Sequence, residues 1–300
     1  MIKNSTQDSK LDLAHGLLTK DKRLPTSVAF IGGGNMATSI ISGLITDGHN
    51  AQQIFVSDTE HEKLATLAAN FGIRSVSNNI EAILAADVVI LAVKPQVLQI
   101  LCTEICEAVQ KRSPLIVSIA AGVSLDLLQH WLGQDLAIIR TMPNIPAMLQ
   151  SGATALYADH SRTTAHQRDV AESVMRAVGV TRWVEQEQLL DAVTAISGSG
   201  PAYFFLVMEA MEQIGVDLGL DAETAHLLTI QTALGAARMA MESSDTPAVL
   251  RHKVTSRGGT TERALKIFED GGLQVLFKKA LTGARDRSAE LSRLFGDTNG

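Results

Sequence analysis

The sequence predicts a parallel α/β domain followed by an all-α domain. Three observations carry that reading. From Val28 to about Trp183, short aliphatic runs alternate with longer amphipathic ones. A glycine-rich turn joins the first run to the first amphipathic segment. After about Glu185 no further strand-like run occurs.

Each short run is rich in β-branched or aliphatic residues, the mark of a buried strand. Val28–Ile31 is the first, backed by a helix over Asn35–Thr46. Ile54–Ser57 and Glu60–Asn70 repeat the unit. Asn79–Ala85 is a short helix ahead of the Val88–Val93 strand, and Pro95–Val109 follows it. Leu115–Ile119 leads into Leu125–Trp131, and Ala137–Ile139 is the fifth strand. Gly152–Tyr157 and Thr181–Val184 are candidates to extend the sheet. Strand–helix alternation of this kind builds a parallel sheet covered on both faces.

Beyond Glu185, helical patterning covers Gln188–Ile214, Asp221–Glu242, Thr246–Lys253, Thr260–Glu269 and Leu273–Phe295. The Ala/Gly-rich stretch Ala233–Ala240 permits close helix packing. Long aliphatic helices with few aromatics serve either a subunit interface or an intrachain bundle, and both readings stand. The division expected is a tail over 1–26, an α/β domain over 27–186 and a helical domain over 187–300.

Composition narrows the function. The chain has 300 residues, 46% hydrophobic and 19% charged, which suits a folded protein rather than a disordered one. Its net charge of −6 gives no support to nucleic acid as a partner, because phosphate binding needs a basic face. Cys102 and Cys106 fall on one side of a helix and read as small buried apolar residues. The histidines are scattered, so no metal is expected, and His61-Glu62-Lys63 reads as a solvated helix face. Met1–Thr26 lacks the apolar segment of a secretory signal, and a cytoplasmic setting is expected. The apolar run near Val193 reads as broken by Gly198, Gly200 and Pro201, so no membrane span is expected.

The glycine turn carries the first chemistry. Val28–Ile31 runs into Gly32-Gly33-Gly34-Asn35-Met36-Ala37, a G-x-G-x-x-A pattern between strand and helix. Gly32 allows the tight turn, Gly34 lets backbone approach a pyrophosphate, and Ala37 permits close helix–strand packing. The helix start offers free N–H groups and a positive dipole end to an anion. The domain is therefore read as Rossmann-like, binding NADPH or NADH. Asp58 ends the second strand region. An acidic residue there binds ribose hydroxyls and repels a 2′-phosphate, which favours NAD; alternatively Asp58 points away and Ser57 or Thr59 binds a phosphate, or Asp58 caps the next helix.

Further segments point to one family. They are Ala92–Gln96, Ser118–Gly122, Arg140-Thr141-Met142-Pro143-Asn144-Ile145-Pro146, Ser197-Gly198-Ser199-Gly200-Pro201-Ala202-Tyr203, and Val254–Thr261 with its Ser256-Arg257-Gly258-Gly259-Thr260-Thr261 core. In this order they resemble pyrroline-5-carboxylate reductase over about Val28 to Leu294. The resemblance implies a helical C-terminal domain that dimerises, often assembling further into rings. It places cofactor contacts on Ile31, Gly32, Gly33, Gly34, Asn35 and Met36, on Asn79, on Ala92, Val93, Lys94 and Pro95, and on Ile119, Ala120 and Ala121. Substrate contacts fall on Ser256, Gly258, Gly259, Thr260 and Thr261.

Physical reading runs beside the resemblance. Val93 and Ile119 lie at the carboxyl ends of parallel strands, where open α/β sheets bind ligands. Lys94 precedes Pro95, which pushes its backbone to an extended conformation; it is either a cofactor contact or a solvated loop lysine. The Ser256–Thr261 segment sets glycines and hydroxyls before a helix whose N–H groups receive a small carboxylate or are simply capped. Two residues depart from the family pattern: Arg257 stands where Pro is usual, and Lys253 where Asn is usual. The activity implied is reduction of 1-pyrroline-5-carboxylate to L-proline, with Thr261 as the catalytic hydrogen-bonding partner of the ring nitrogen. A β-hydroxyacid dehydrogenase shares the two-domain plan, but that family uses a lysine early in the helical domain. This chain has none between Lys111 and Lys253. Another imine reductase and a non-catalytic dinucleotide sensor also compete with the reductase reading.

Overall fold

A computed structural model describes residues 26–297. The segment read as a tail, 1–26, lies outside them apart from its last residue. The strands are β1 (Val28–Ile31), β2 (Ile54–Ser57), β3 (Arg74–Ser75), β4 (Val88–Leu91), β5 (Leu115–Ser118), β6 (Ile138–Met142), β7 (Gly152–Ala158) and β8 (Gly179–Trp183). They form one sheet in the order β3-β2-β1-β4-β5-β6-β7-β8. Alternate β1 residues enter opposite cores: Val28 and Phe30 join one cluster, Ala29 and Ile31 the other. This double burial is why the strand reads as an unbroken apolar run.

The helices over the sheet are α1 (Asn35–Thr46), α2 (His61–Phe71), α3 (Asn79–Leu84), α4 (Pro95–Arg112), α5 (Leu125–Leu132) and α6 (Ala165–Arg176). α1 and α6 cover one face, and α3, α4 and α5 the other. Three features escaped the sequence reading. β3 is only two residues long. α6 has too few apolar residues to announce itself. β7 pairs antiparallel with β6, because the link between them holds only a 3₁₀ turn, Ile145–Leu149, too short for a parallel crossover.

Two compact units are present. One contains the sheet, with residues 26–201 and 279–297. Within it the end of the last helix packs beside Gly122 through Leu291 and Phe295, and the Ser288 hydroxyl donates to Asp191 at 2.7 Å. Arg140 on β6 pairs with Glu187 at 2.6 Å, and the same carboxylate oxygen accepts from the Leu125 amide that opens α5. Cys102 is buried on α4, and burial pushes its thiol up to about 12; Cys106 donates to the Leu132 carbonyl.

The other unit, Ala202–Lys278, is helical. The remaining helices of the chain are α7 (Leu189–Val193), α8 (Gly200–Asp217), α9 (Ala222–Glu242), α10 (Pro247–Lys253), α11 (Thr260–Asp270) and α12 (Leu273–Asp297). The expected break at Gly198, Gly200 and Pro201 does not occur. A π-helical turn over Thr194–Gly198 absorbs the extra residue, with the Ser199 amide donating to the Thr194 carbonyl at 2.8 Å, and the helix continues. Leu189–Asp217 is thus long and apolar enough, by length and composition only, to cross a membrane. Most of the apolar side chains on α8 and α9 are exposed in the single chain.

Candidate active site

The sheet order reverses direction between β1 and β4, the crevice where open α/β sheets take their ligands. The glycine turn lies at that point. Gly32 has φ +100°, and a Cβ there would sit 2.8 Å from the Ala92 carbonyl oxygen, so no other residue fits without displacement. Its amide donates to the Ser57 carbonyl at 2.8 Å. Gly34 faces open space, with no heavy atom within 4 Å of an added Cβ. It is also the N-cap of α1 and supplies no side-chain acceptor, so the first amides of α1 remain available. A turn this close to its own sheet and this open outward fits a diphosphate of a dinucleotide.

The other predicted cofactor residues gather at the carboxyl ends of the same strands. Ile31 ends β1 and Ser57 ends β2. Asn79 opens α3, where its amide oxygen accepts from the Ser57 hydroxyl at 2.7 Å and its amide nitrogen donates to Glu104 at 3.1 Å. Ala92 and Val93 follow β4, the Ala92 amide donating to the Ile31 carbonyl at 2.9 Å. Lys94 has the extended backbone its proline neighbour demands, φ −63° and ψ 144°, and caps α4. Ile119, Ala120 and Ala121 follow β5, with the Ala120 amide on the Ser118 hydroxyl at 3.3 Å. Asn35 and Met36 start α1.

Asp58 is engaged inside the chain. Its Oδ2 accepts from the Gly33 amide at 2.7 Å and from Lys63 Nζ at 3.0 Å, and its Oδ1 from the Glu60 amide at 2.9 Å. Burial opposes its ionisation, but these donors outweigh it and hold the carboxyl below the usual range. Lys63 corrects the sequence reading of a solvated helix face: it bonds Asp58 and Glu60, while His61 and Glu62 are exposed. Sequence spacing marks only the i,i+3 pair with Glu60; Asp58 precedes the helix, and nothing in the pattern marks its bond to Lys63.

Within the helical unit, Ser256–Thr261 leads into α11. Gly259 is the N-cap of α11 and, like Gly34, gives no side-chain cap. By contrast Asn78, Ser124, Thr164, Asp221 and Thr246 cap α3, α5, α6, α9 and α10 with their side chains. Two loop amides are already used: Gly259 donates to the Ser256 carbonyl at 3.0 Å and Gly258 to Glu262 Oε2 at 2.7 Å. Glu262 escaped the sequence reading. No side chain caps the first α11 amides, among them those of Thr260 and Thr261, the kind of helix start that can receive an anion. Gly258 has φ +74°, so the glycine suits the turn. Lys253 reaches Asp245 instead of the loop. Among the described residues no group of three or more His, Cys, Asp or Glu is placed to hold a metal.

Comparison with known proteins adds the family. A family model described as pyrroline-5-carboxylate reductase dimerisation matches residues 187–291, and one described as NADP oxidoreductase, coenzyme F420-dependent, matches residues 27–122. A pyrroline-5-carboxylate reductase of Pseudomonas aeruginosa is 50% identical over 269 residues, covering 90% of this chain and 98% of that protein. One from Escherichia coli is 36% identical over 267 residues, covering 89% and 98%. Among solved structures, a pyrroline-5-carboxylate reductase from Coxiella burnetii is similar at a TM-score of 0.86 and 45% identity, covering 90% of this chain and 99% of that one. A Plasmodium falciparum pyrroline carboxylate reductase with NADP bound shares the fold at a TM-score of 0.80 and 24% identity, covering 89% and 98%.

Proposed function

The chain belongs to the pyrroline-5-carboxylate reductase family, and from that premise we propose how its residues divide the work. The reaction is reduction of 1-pyrroline-5-carboxylate to L-proline with NADPH or NADH. We assign 27–186 to dinucleotide binding and 187–300 to substrate binding and dimerisation.

The observation that carries the cofactor assignment is Gly32, whose positive φ and lack of room for a Cβ beside the Ala92 carbonyl fit a tight turn at the switch point of the sheet. Gly32, Gly33 and Gly34, with Asn35 and Met36, hold the diphosphate against the start of α1. Ile31, Ala92, Val93, Lys94 and Pro95, then Ile119, Ala120 and Ala121, line the cofactor's path along the strand ends, and Asn79 lies on the side of β2. When bound, the reduced dinucleotide supplies the hydride that saturates the cyclic C=N bond. A protonated imine is already a strong hydride acceptor, so the chain's task is to orient and to exclude water.

For the substrate, the Thr260 and Thr261 amides and the Ser256 hydroxyl receive the carboxylate, and Gly258 and Gly259 keep the loop free of side chains. The Thr261 hydroxyl holds the ring nitrogen, a role suited to a neutral group that both donates and accepts. Arg257, in place of the family's usual proline, adds a cation near an anionic substrate. The assembly is a homo-oligomer, for which we propose a dimer through α8 and α9. We place the enzyme in the cytoplasm.

The test follows nicotinamide absorbance with added pyrroline-5-carboxylate. The full chain oxidises NADPH or NADH. Thr261→Ala lowers kcat by about tenfold, the scale of one hydrogen bond made at the reacting centre, with nucleotide affinity nearly unchanged. Equal losses in kcat and nucleotide affinity would contradict the role given to Thr261. Cofactor binding without oxidation would turn the reading to a sensor.

A further inference from the structure

An acidic side chain just past the second strand of such a fold receives the ribose hydroxyls of NAD, or gives way to a cation that accepts a 2′-phosphate. In this chain the two residue types stand together. Three of the roughly four acceptor sites on the Asp58 carboxylate are taken, by the Gly33 amide, the Glu60 amide and Lys63 Nζ. Oδ2 is doubly occupied, so a two-oxygen grip on both ribose hydroxyls has only Oδ1 to work with. The side chain is 10% exposed and walled by the turn it supports. Lys63 is more open, at 32%, and its second partner, Glu60 at 2.9 Å, is 70% exposed. An exposed i,i+3 pair of this kind holds weakly. A phosphate offers Lys63 a stronger acceptor than Glu60 does, while the bond to Asp58 keeps the ammonium aimed at the ribose position.

We propose that Lys63 is the specificity-determining residue that admits a 2′-phosphorylated dinucleotide, and that Asp58 is a positioning residue that ties the start of α2 to the Gly33 amide. This reverses the preference for NAD that Asp58 suggests when read from sequence. It rests on the reading of the glycine turn as a dinucleotide site.

The experiment titrates 2′,5′-ADP and 5′-AMP calorimetrically into the full chain, as wild type, Lys63→Gln and Asp58→Asn. The ratio of kcat/KM for NADPH to that for NADH is measured alongside. Lys63→Gln weakens 2′,5′-ADP about tenfold more than 5′-AMP, the scale of one charge-assisted hydrogen bond, and lowers the NADPH:NADH ratio to match. Asp58→Asn weakens both nucleotides alike. The proposal is overturned if Lys63→Gln affects the two nucleotides equally, or if Asp58→Asn harms 5′-AMP and NADH while sparing NADPH. Wild type that binds 5′-AMP with no gain from the 2′-phosphate overturns this proposal alone. Wild type that binds neither nucleotide removes the dinucleotide reading along with it.

Discussion

Single residues decide whether the turn can exist. Gly32 combines φ +100° with a would-be Cβ 2.8 Å from the Ala92 carbonyl, so Gly32→Ala meets both backbone strain and a backbone clash. Such strain costs about 1–3 kcal/mol, and the turn must shift to relieve it. Gly32→Ala is therefore expected to lower the melting temperature and to weaken nucleotide binding together. Thermal melting with and without nucleotide checks this, and an unchanged ligand-induced rise in Tm would contradict it. Asp58 adds a pH dependence. Its folded pKa is depressed, so its stabilisation is complete above the ordinary carboxylate value of about 3.9 and is lost as pH falls through the lower folded value. The stability gap between wild type and Asp58→Asn should then shrink toward acid in denaturant titrations; a gap that widens would refute the assigned bonds. The glycines were legible because their spacing is a backbone requirement. The partner of Asp58 was not, because a lysine on a helix looks the same in sequence whether it faces water or a carboxylate.

Among the elements, strands buried on both faces were the most legible, since β1, β4 and β5 read as continuous aliphatic runs. The connections were less so. β7 turns antiparallel because of a short link, which periodicity does not report. The helix α6 was missed although its start carries a capping box, Thr164 with Gln167. Beside the buried Val170, Ala171, Val174 and Met175, α6 has a polar anchor. Glu172 accepts from the Trp183 indole at 2.9 Å and the Thr181 hydroxyl at 2.9 Å on β8, and from Arg176 at 2.6 Å on its own helix. Burial opposes its charge, but those three donors keep its pKa below the usual value. Glu172→Ala leaves the half-buried indole N–H without its partner and should cost about 1–3 kcal/mol. Glu172→Gln, which retains an acceptor, should lose less. Equal losses in equilibrium unfolding would mean that α6 is held by its apolar face alone.

For the whole molecule, sequence left the helical domain balanced between an intrachain bundle and a subunit interface. The apolar surface of α8 breaks that balance. Phe204, Phe205 and Leu206 are 68%, 62% and 65% exposed although consecutive, and within α8 only Gly200 is buried. Three successive helical positions span about 200° of the circumference, and an apolar arc that wide belongs against an interior, with Glu209, Glu212 and Gln213 left for the remaining polar strip. No single chain supplies that interior here. α9 likewise leaves Leu227, Leu228 and Leu234 open. Exposed apolar surface on this scale marks an association site, in keeping with the dimerisation model matched over 187–291. Each aromatic buried there contributes about 1.5–3 kcal/mol, so Phe205→Glu removes that and adds an unpaired charge. Sedimentation velocity should show wild type as a dimer or larger at micromolar concentration. Phe205→Glu should shift it toward monomer, with the dissociation constant raised by more than about tenfold. Far-ultraviolet circular dichroism separates dissociation from unfolding. A wild-type monomer that keeps its helical content on dilution would show that this surface closes without a second copy.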